Sequence, residues 1–220
     1  MKSYKEKFEN MIEVMNKDKK IKFLHINFGA PAPTNLLEKA GESLSNDRES
    51  DIIKFYSEMN GLQIIWNYED KINNETEFKP LLFLNKEIQF DGVINFLPLE
   101  IFLNQLTWKG TVWFEDDKDI DANFLGEEVS IKMIRKKLLP FDLFSTDMSM
   151  ALFSNSTNDY VLLLQDYHID YTNSLIAYFD DYVALILKTK GLVKSRFEIF
   201  NALNGYRKPV IKAAQLIQKL

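Results

Sequence analysis

Apolar residues recur at spacings of three and four in Tyr4, Phe8, Met11, Ile12 and Met15, which predicts an amphipathic helix with one buried stripe. The same spacing returns in Ile52, Phe55, Tyr56 and Met59. Asp47, Glu49 and Asp51 place negative charge at the start of that helix, where the helix dipole favours it. Asn60-Gly61 ends it, because both residues tolerate the left-handed conformation of a helix C-terminus. The period then changes to two: Leu62, Ile64 and Trp66 fall on one side of a predicted strand, Gln63 and Asn67 on the wetter side. We take this stretch, 51–66, as the scaffold around which the remaining elements are arranged.

Residues 21–28 alternate loosely, as a short strand or an extended linker would. Gly29-Ala30-Pro31-Ala32-Pro33 must be extended, since each proline restricts the residue before it. Thr34 is placed as the N-cap of a short helix carrying Leu36, Leu37 and Ala40 and breaking near Gly41. Asn73-Asn74-Glu75 suggests a turn, and 78–84 a strand that Pro80 pushes to a sheet edge. A strand over 89–96 contains Asp91-Gly92 as a turn or bulge. Pro98 starts a short helix with Ile101, Phe102 and Leu106 on its buried face, and 108–114 is a further strand. Residues 129–138 fit either period, and Leu139-Pro140-Phe141 breaks whichever element forms there. Residues 148–153 and 159–165 are a strand pair joined by turn residues. Leu175, Phe179, Tyr182, Val183 and Ile186 mark a long helix closed by Gly191, with two more helical pieces at 197–203 and 210–220. Helices at both ends with strands between them predict an α+β fold with a mostly antiparallel sheet. The expected organisation is one domain over 1–190 and a helical extension, 191–220, packed on it.

Composition narrows the function classes. At 220 residues with 46% hydrophobic, 27% charged and 13% aromatic residues, the chain can bury a sizeable core and is not a disordered or low-complexity sequence. It has no cysteine, which removes disulfides, thiolate nucleophiles and cysteine-ligated metal centres together. No apolar run approaches the ~20 residues of a membrane span, and the first fifteen residues lack a signal-peptide core. The expectation is a soluble cytoplasmic protein without a membrane partner. The net charge of -5 is unevenly distributed: residues 115–128 hold seven acids and one lysine, net -6, whereas 188–220 carry eight Lys/Arg against Glu198, net +7. Each can steer a partner of opposite sign or simply be a solvated face.

No phosphate-binding glycine loop or nucleophile elbow is present, and the two histidines are His25 and His168. His168 stands between Asp166 and Asp170, which we interpret as a surface histidine among hydrogen-bonding neighbours in preference to a metal ligand. Asp117, Asp119, Asp121, Asn123 and Glu128 occupy positions 1, 3, 5, 7 and 12 of a calcium-loop pattern, but Ala122 stands where the sharp turn needs glycine and a strand is predicted where such a loop has its first helix. We therefore assign no metal. Trp66, Trp108 and Trp113 could form an aromatic platform for a sugar or base, though their apolar neighbours favour core positions. The basic tail interleaves lysine with Phe197, Ile199, Phe200, Ile211 and Ile217 at helical spacing. An amphipathic docking helix explains this better than a nucleic-acid site.

Phe55-Tyr56 with Asn60-Gly61-Leu62 and Trp66, then Phe96-Leu97-Pro98-Leu99-Glu100, then Leu139-Pro140-Phe141, and finally the strand and helix of 160–190 form an ordered set that resembles the SUKH superfamily, the domain shared by yeast cell-wall-synthesis regulators and bacterial immunity proteins. The resemblance covers roughly residues 30–190. It implies an α+β domain with a curved, mostly antiparallel sheet, no catalytic machinery and no cofactor, and a surface that binds another protein. For bacterial relatives that partner is often a toxin, nucleases included. The expected function is thus a non-enzymatic binding module, an immunity protein or antitoxin in its specific form. Glu115, Asp116, Asp117, Asp119 and Asp121 are the candidate partner-binding residues, together with the sheet edge near Pro80. The alternative is a small-molecule, glycan or calcium-binding domain, or a hydrolase using carboxylates such as Glu115, Asp166 or Asp170. Partner identity and oligomeric state are left open.

Overall fold

The computed structural model describes residues 2–44, 51–69, 90–104, 121–124, 127–130, 138–145, 148–154, 159–165 and 178–193. In chain order these form α1 (Tyr4–Met15), β1 (Ile21–Phe28), α2 (Thr34–Ser43), α3 (Asp51–Glu58), β2 (Leu62–Tyr68), β3 (Gly92–Phe96), α4 (Leu99–Phe102), β4 (Asp121–Phe124), β5 (Glu127–Ser130), β6 (Leu138–Leu143), β7 (Met148–Ser154), β8 (Asp159–Gln165) and α5 (Phe179–Thr189). The fold is α+β. Among the described residues six strands form one antiparallel sheet in the order β1-β2-β3-β6-β7-β8, not closed into a barrel, and β4 and β5 pair separately.

α1 begins with a capping box. The Glu6 amide donates to Ser3 Oγ at 3.2 Å and the Ser3 amide to Glu6 Oε2 at 2.9 Å, which satisfies two amides that have no partner within the helix. Tyr4, Phe8, Met11 and Met15 form its buried stripe. In α3, Ile52, Phe55 and Tyr56 are buried, as the spacing predicts. Phe55 lies edge-on to Tyr4, Tyr56, Phe96 and Phe179 at 5.2–5.7 Å between ring centroids. α1, α3 and α5 therefore converge on Phe96 of β3. Phe141 of β6 joins the cluster through Phe96, Phe179 and Tyr182. Each fully buried aromatic ring contributes roughly 1.5–3 kcal/mol by leaving water.

Several local expectations are corrected. Thr34 is the first residue of α2 and not its cap; Pro33 precedes the helix and supplies no side-chain bond. Gly41 does not break the helix, which continues to Ser43, because the buried Ala40 and Leu44 hold its last turn on the core. At the end of α3 only Gly61 takes a positive φ, +93°. Asn60 acts instead through its side chain. Residues 21–28 are a strand, with a bulge between Phe23 and His25. β2 has less of a wet face than its alternation suggests: Ile65 and Asn67 are buried as well. β3 starts at Gly92, with Asp91 outside it. Leu139-Pro140-Phe141 does not break an element but lies within β6. There the proline, which cannot donate to a ladder, stands beside a bulge that Phe141 occupies.

α5 ends on two consecutive left-handed residues, Lys190 (φ 56°) and Gly191 (φ 69°). The chain then turns onto β3: the Val93 amide donates to the Gly191 carbonyl at 2.9 Å and the Val193 amide to the Asp91 carbonyl at 3.0 Å. Trp66 Nε1 donates to the Lys190 carbonyl at 2.9 Å. Residues 191–193 thus lie against β3, with an antiparallel bridge between Gly92 and Leu192. The predicted strands at 78–84 and 108–114 and the helical pieces at 197–203 and 210–220 lie outside the described residues.

Candidate functional site

Between β3 and β6 the chain leaves the sheet and forms α4 and the β4–β5 hairpin. Asp121, Ala122, Asn123 and Phe124 pair with Ser130, Val129, Glu128 and Glu127 respectively. The acidic stretch 115–128 is therefore not one continuous loop: its C-terminal half is a hairpin of extended strands in which Asp121, Glu127 and Glu128 take register positions. This bears on the calcium pattern, since Asp121 and Asn123 sit on one strand and Glu128 on its partner. A twelve-residue wrapping loop cannot have that backbone over positions 5 to 12. Of the candidate partner-binding residues, Asp121 lies on β4, and Glu115, Asp116, Asp117 and Asp119 lie outside the described residues. So do Asp166, His168, Asp170, Trp108, Trp113 and the sheet edge near Pro80. Among the described residues no three His, Cys, Asp or Glu side chains come together as a metal-binding group, and no helix is long and apolar enough to cross a membrane.

Trp66 is fully buried, edge-on to Tyr68 at 5.2 Å, with its ring against Gly92. A Cβ at position 92 would fall 2.0 Å from Trp66 Nε1. The tryptophan is a core residue with its N–H satisfied, so it offers no face to a ligand. His25 sits on β1, in the register position opposite Ile65.

Among the described residues the fold gathers polar side chains that sequence reasoning did not name as site residues. Asp142 is completely buried and accepts from the Asn95 amide at 2.9 Å and from the Tyr182 hydroxyl at 2.5 Å. Asn95 Nδ2 donates to the Leu143 carbonyl, and Gln63 Nε2 donates to Asn95 Oδ1. Around the turn after α3, Asn60 Oδ1 accepts from the Leu99 amide at 2.6 Å, capping α4 from 39 residues away, and Asn60 Nδ2 donates to Glu100 Oε2 at 2.8 Å. The Tyr56 hydroxyl donates to the Leu97 carbonyl. Burial, reinforced by the charges of Glu100 and Asp142, pushes its ionisation far above the ordinary tyrosine range. Tyr4 is shifted the same way, by burial first and then by Asp180 and Asp51; its hydroxyl donates to Asp180, which Lys7 also approaches at 3.6 Å. The signal for the Asp142 group was present, since an acid directly after Leu-Pro-Phe interrupts an apolar run. Nothing in the order of residues pairs it with Tyr182.

These carboxylates and amides are bonded to backbone and to one another, which makes them parts of the frame. β4 and β5 pair with each other outside the six-stranded sheet. No protein-family model, curated protein or solved structure matches the chain.

Proposed function

We propose that the protein is a non-enzymatic binding module that meets a basic protein partner through residues 115–128. The observation behind this reading is that a stretch of net -6 includes a hairpin paired outside the main sheet and inserted between β3 and β6. Concentrated like charge raises the association rate with a partner of opposite sign and makes that rate fall with salt. In its specific form the partner is a toxin, a nuclease being the kind whose basic surface fits, and the chain is an immunity protein acting in the cytoplasm. That version rests on the resemblance to the SUKH superfamily.

The test is affinity capture from the native host using the full chain and a variant with Glu115→Gln, Asp116→Asn, Asp117→Asn, Asp119→Asn and Asp121→Asn. The expected outcome is a basic partner whose association with the variant is at least tenfold slower and far less salt-sensitive, while the variant's unfolding midpoint stays at the wild-type value. Equal association rates for the two proteins would remove the hairpin from the interface. Unchanged toxin sensitivity in a deletion strain would overturn the immunity version.

A further inference from the structure

The outward amides of β3 find two kinds of acceptor, main-chain carbonyls and a carboxylate. Val93 donates to the Gly191 carbonyl at 2.9 Å, Asn95 to the Asp142 carboxylate at 2.9 Å, and Leu97 to the Phe141 carbonyl at 2.8 Å. In an ordinary antiparallel pair all three would reach carbonyls of one neighbouring strand. Here β3 and β6 share a single register pair, Phe96 with Asp142, whereas β2 pairs with β3 over five positions and β7 with β8 over seven. The cause lies in the sequence of β6. Pro140 has no amide, the bulge at Phe141 turns the strand, and the Asp142 side chain takes the role of a ladder carbonyl. Where β6 diverges, residues 191–193 fill the vacated edge of β3, forming an antiparallel bridge between Gly92 and Leu192.

We propose that this seam is a latched joint, held shut by the Gly191–Val193 strap and the Asp142–Tyr182 contact, and that it opens as a unit before either half of the sheet unfolds. The two halves, β1-β2-β3 and β6-β7-β8, each keep full backbone ladders when it opens. Among the described residues the joint has few backbone bonds of its own, and opening it parts Phe96 from Phe141. α5 supplies both latches, since Tyr182 and the strap belong to it or follow directly on it. The strap is set by two left-handed residues, one of them a lysine, a conformation non-glycine residues rarely adopt. Gly191 is also closely confined: a Cβ there would lie 2.5 Å from Ile94 Cγ1. Opening exposes the outward main-chain groups of β3 from 91 to 97, a ready template for an added strand.

Native-state hydrogen exchange on the full chain at low denaturant tests this. The Val93, Asn95 and Leu97 amides are expected to exchange through a shared opening at least tenfold more frequent, and with weaker denaturant dependence, than that of Ile94 and Phe96, whose amides alternate to the β2 side of the same strand. Gly191→Ala and Tyr182→Phe should each raise exchange of the three outward amides tenfold or more relative to amides of the β7–β8 ladder. Should Gly191→Ala fail to fold, the wild-type pattern and Tyr182→Phe decide the matter. Outward and inward amides of β3 exchanging together, with the denaturant slope of global unfolding, would overturn the joint. So would a Tyr182→Phe effect spread evenly over both halves.

Discussion

Asn60 shows how one side chain can replace a longer stretch of sequence logic. Its main chain donates to the Ala30 carbonyl, its Oδ1 caps α4 at Leu99, and its Nδ2 reaches Glu100, so three segments meet on one residue. Asn60→Ala should cost about 1–2 kcal/mol, the range of a lost cap with its companion bond. Asn60→Asp keeps the acceptor for Leu99 but sets two carboxylates together. It should therefore fall between alanine and wild type in urea unfolding. Tyr56 makes a prediction of a different kind. Its folded-state ionisation is raised above the ordinary value of 10.0, so the stability it contributes is full below that pH and is lost as the pH climbs towards the folded-state value. The urea midpoint should therefore fall steadily between pH 10 and 11. In Tyr56→Phe that alkaline slope should be shallower, with Tyr4, raised in the same direction, accounting for part of what remains.

Two glycines divide the elements by what surrounds them. Gly41 lies inside α2 where, among the described residues, no atom comes within 4 Å of the place a Cβ would take, whereas Gly92 opens β3 under the ring of Trp66. Gly41→Ala should stabilise the protein by about 0.5–1 kcal/mol through the unfolded chain and helix propensity. Gly92→Ala should destabilise it by roughly 2–4 kcal/mol, the cost of displacing a packed ring, with a shift in tryptophan emission. Both follow from chemical denaturation. Element types were legible wherever the apolar period was strong: α1, α3, β2, the β7–β8 pair and α5 stand where the spacing of Tyr4–Met15, Ile52–Met59, Leu62–Trp66 and Phe179–Ile186 puts them. Boundaries at Thr34, Gly41 and Pro140 were not, for a common reason. Propensity at these residues is worth about a kilocalorie, and the burial of Ala40, Leu44 and Phe141 outweighs it.

For the whole molecule, the α+β class and antiparallel sheet were legible because helical and strand periods are segregated along the chain. The division of the sheet into two ladders was not. It depends on Asp142 meeting Asn95 and Tyr182, which lie 47 and 40 residues away, and periodicity says nothing about such distances. The acidic stretch was legible as charge but not as shape: Asp121 to Ser130 alternates too weakly to announce a hairpin, so cross-strand pairing had to be seen. The hairpin belongs to an insertion between β3 and β6, and the aromatic cluster around Phe96 lies on the helices and the main sheet.

The Trp66–Lys190 hydrogen bond spans 124 residues, and this gives the protein an order of assembly during synthesis. The β1-β2-β3 half emerges first and can complete its ladder while the ribosome is still making β6. Until α5 follows, the amides of Val93 and Asn95 have no final acceptor in place together, and the β3 edge is open to any extended segment nearby. Closure comes last, from the C-terminal side, when the turn at Lys190 and Gly191 sets the strap against Trp66. A nascent chain halted before residue 178 would carry an exposed strand edge that the finished protein conceals, so the period most prone to misassembly is the interval between the emergence of β8 and that of α5.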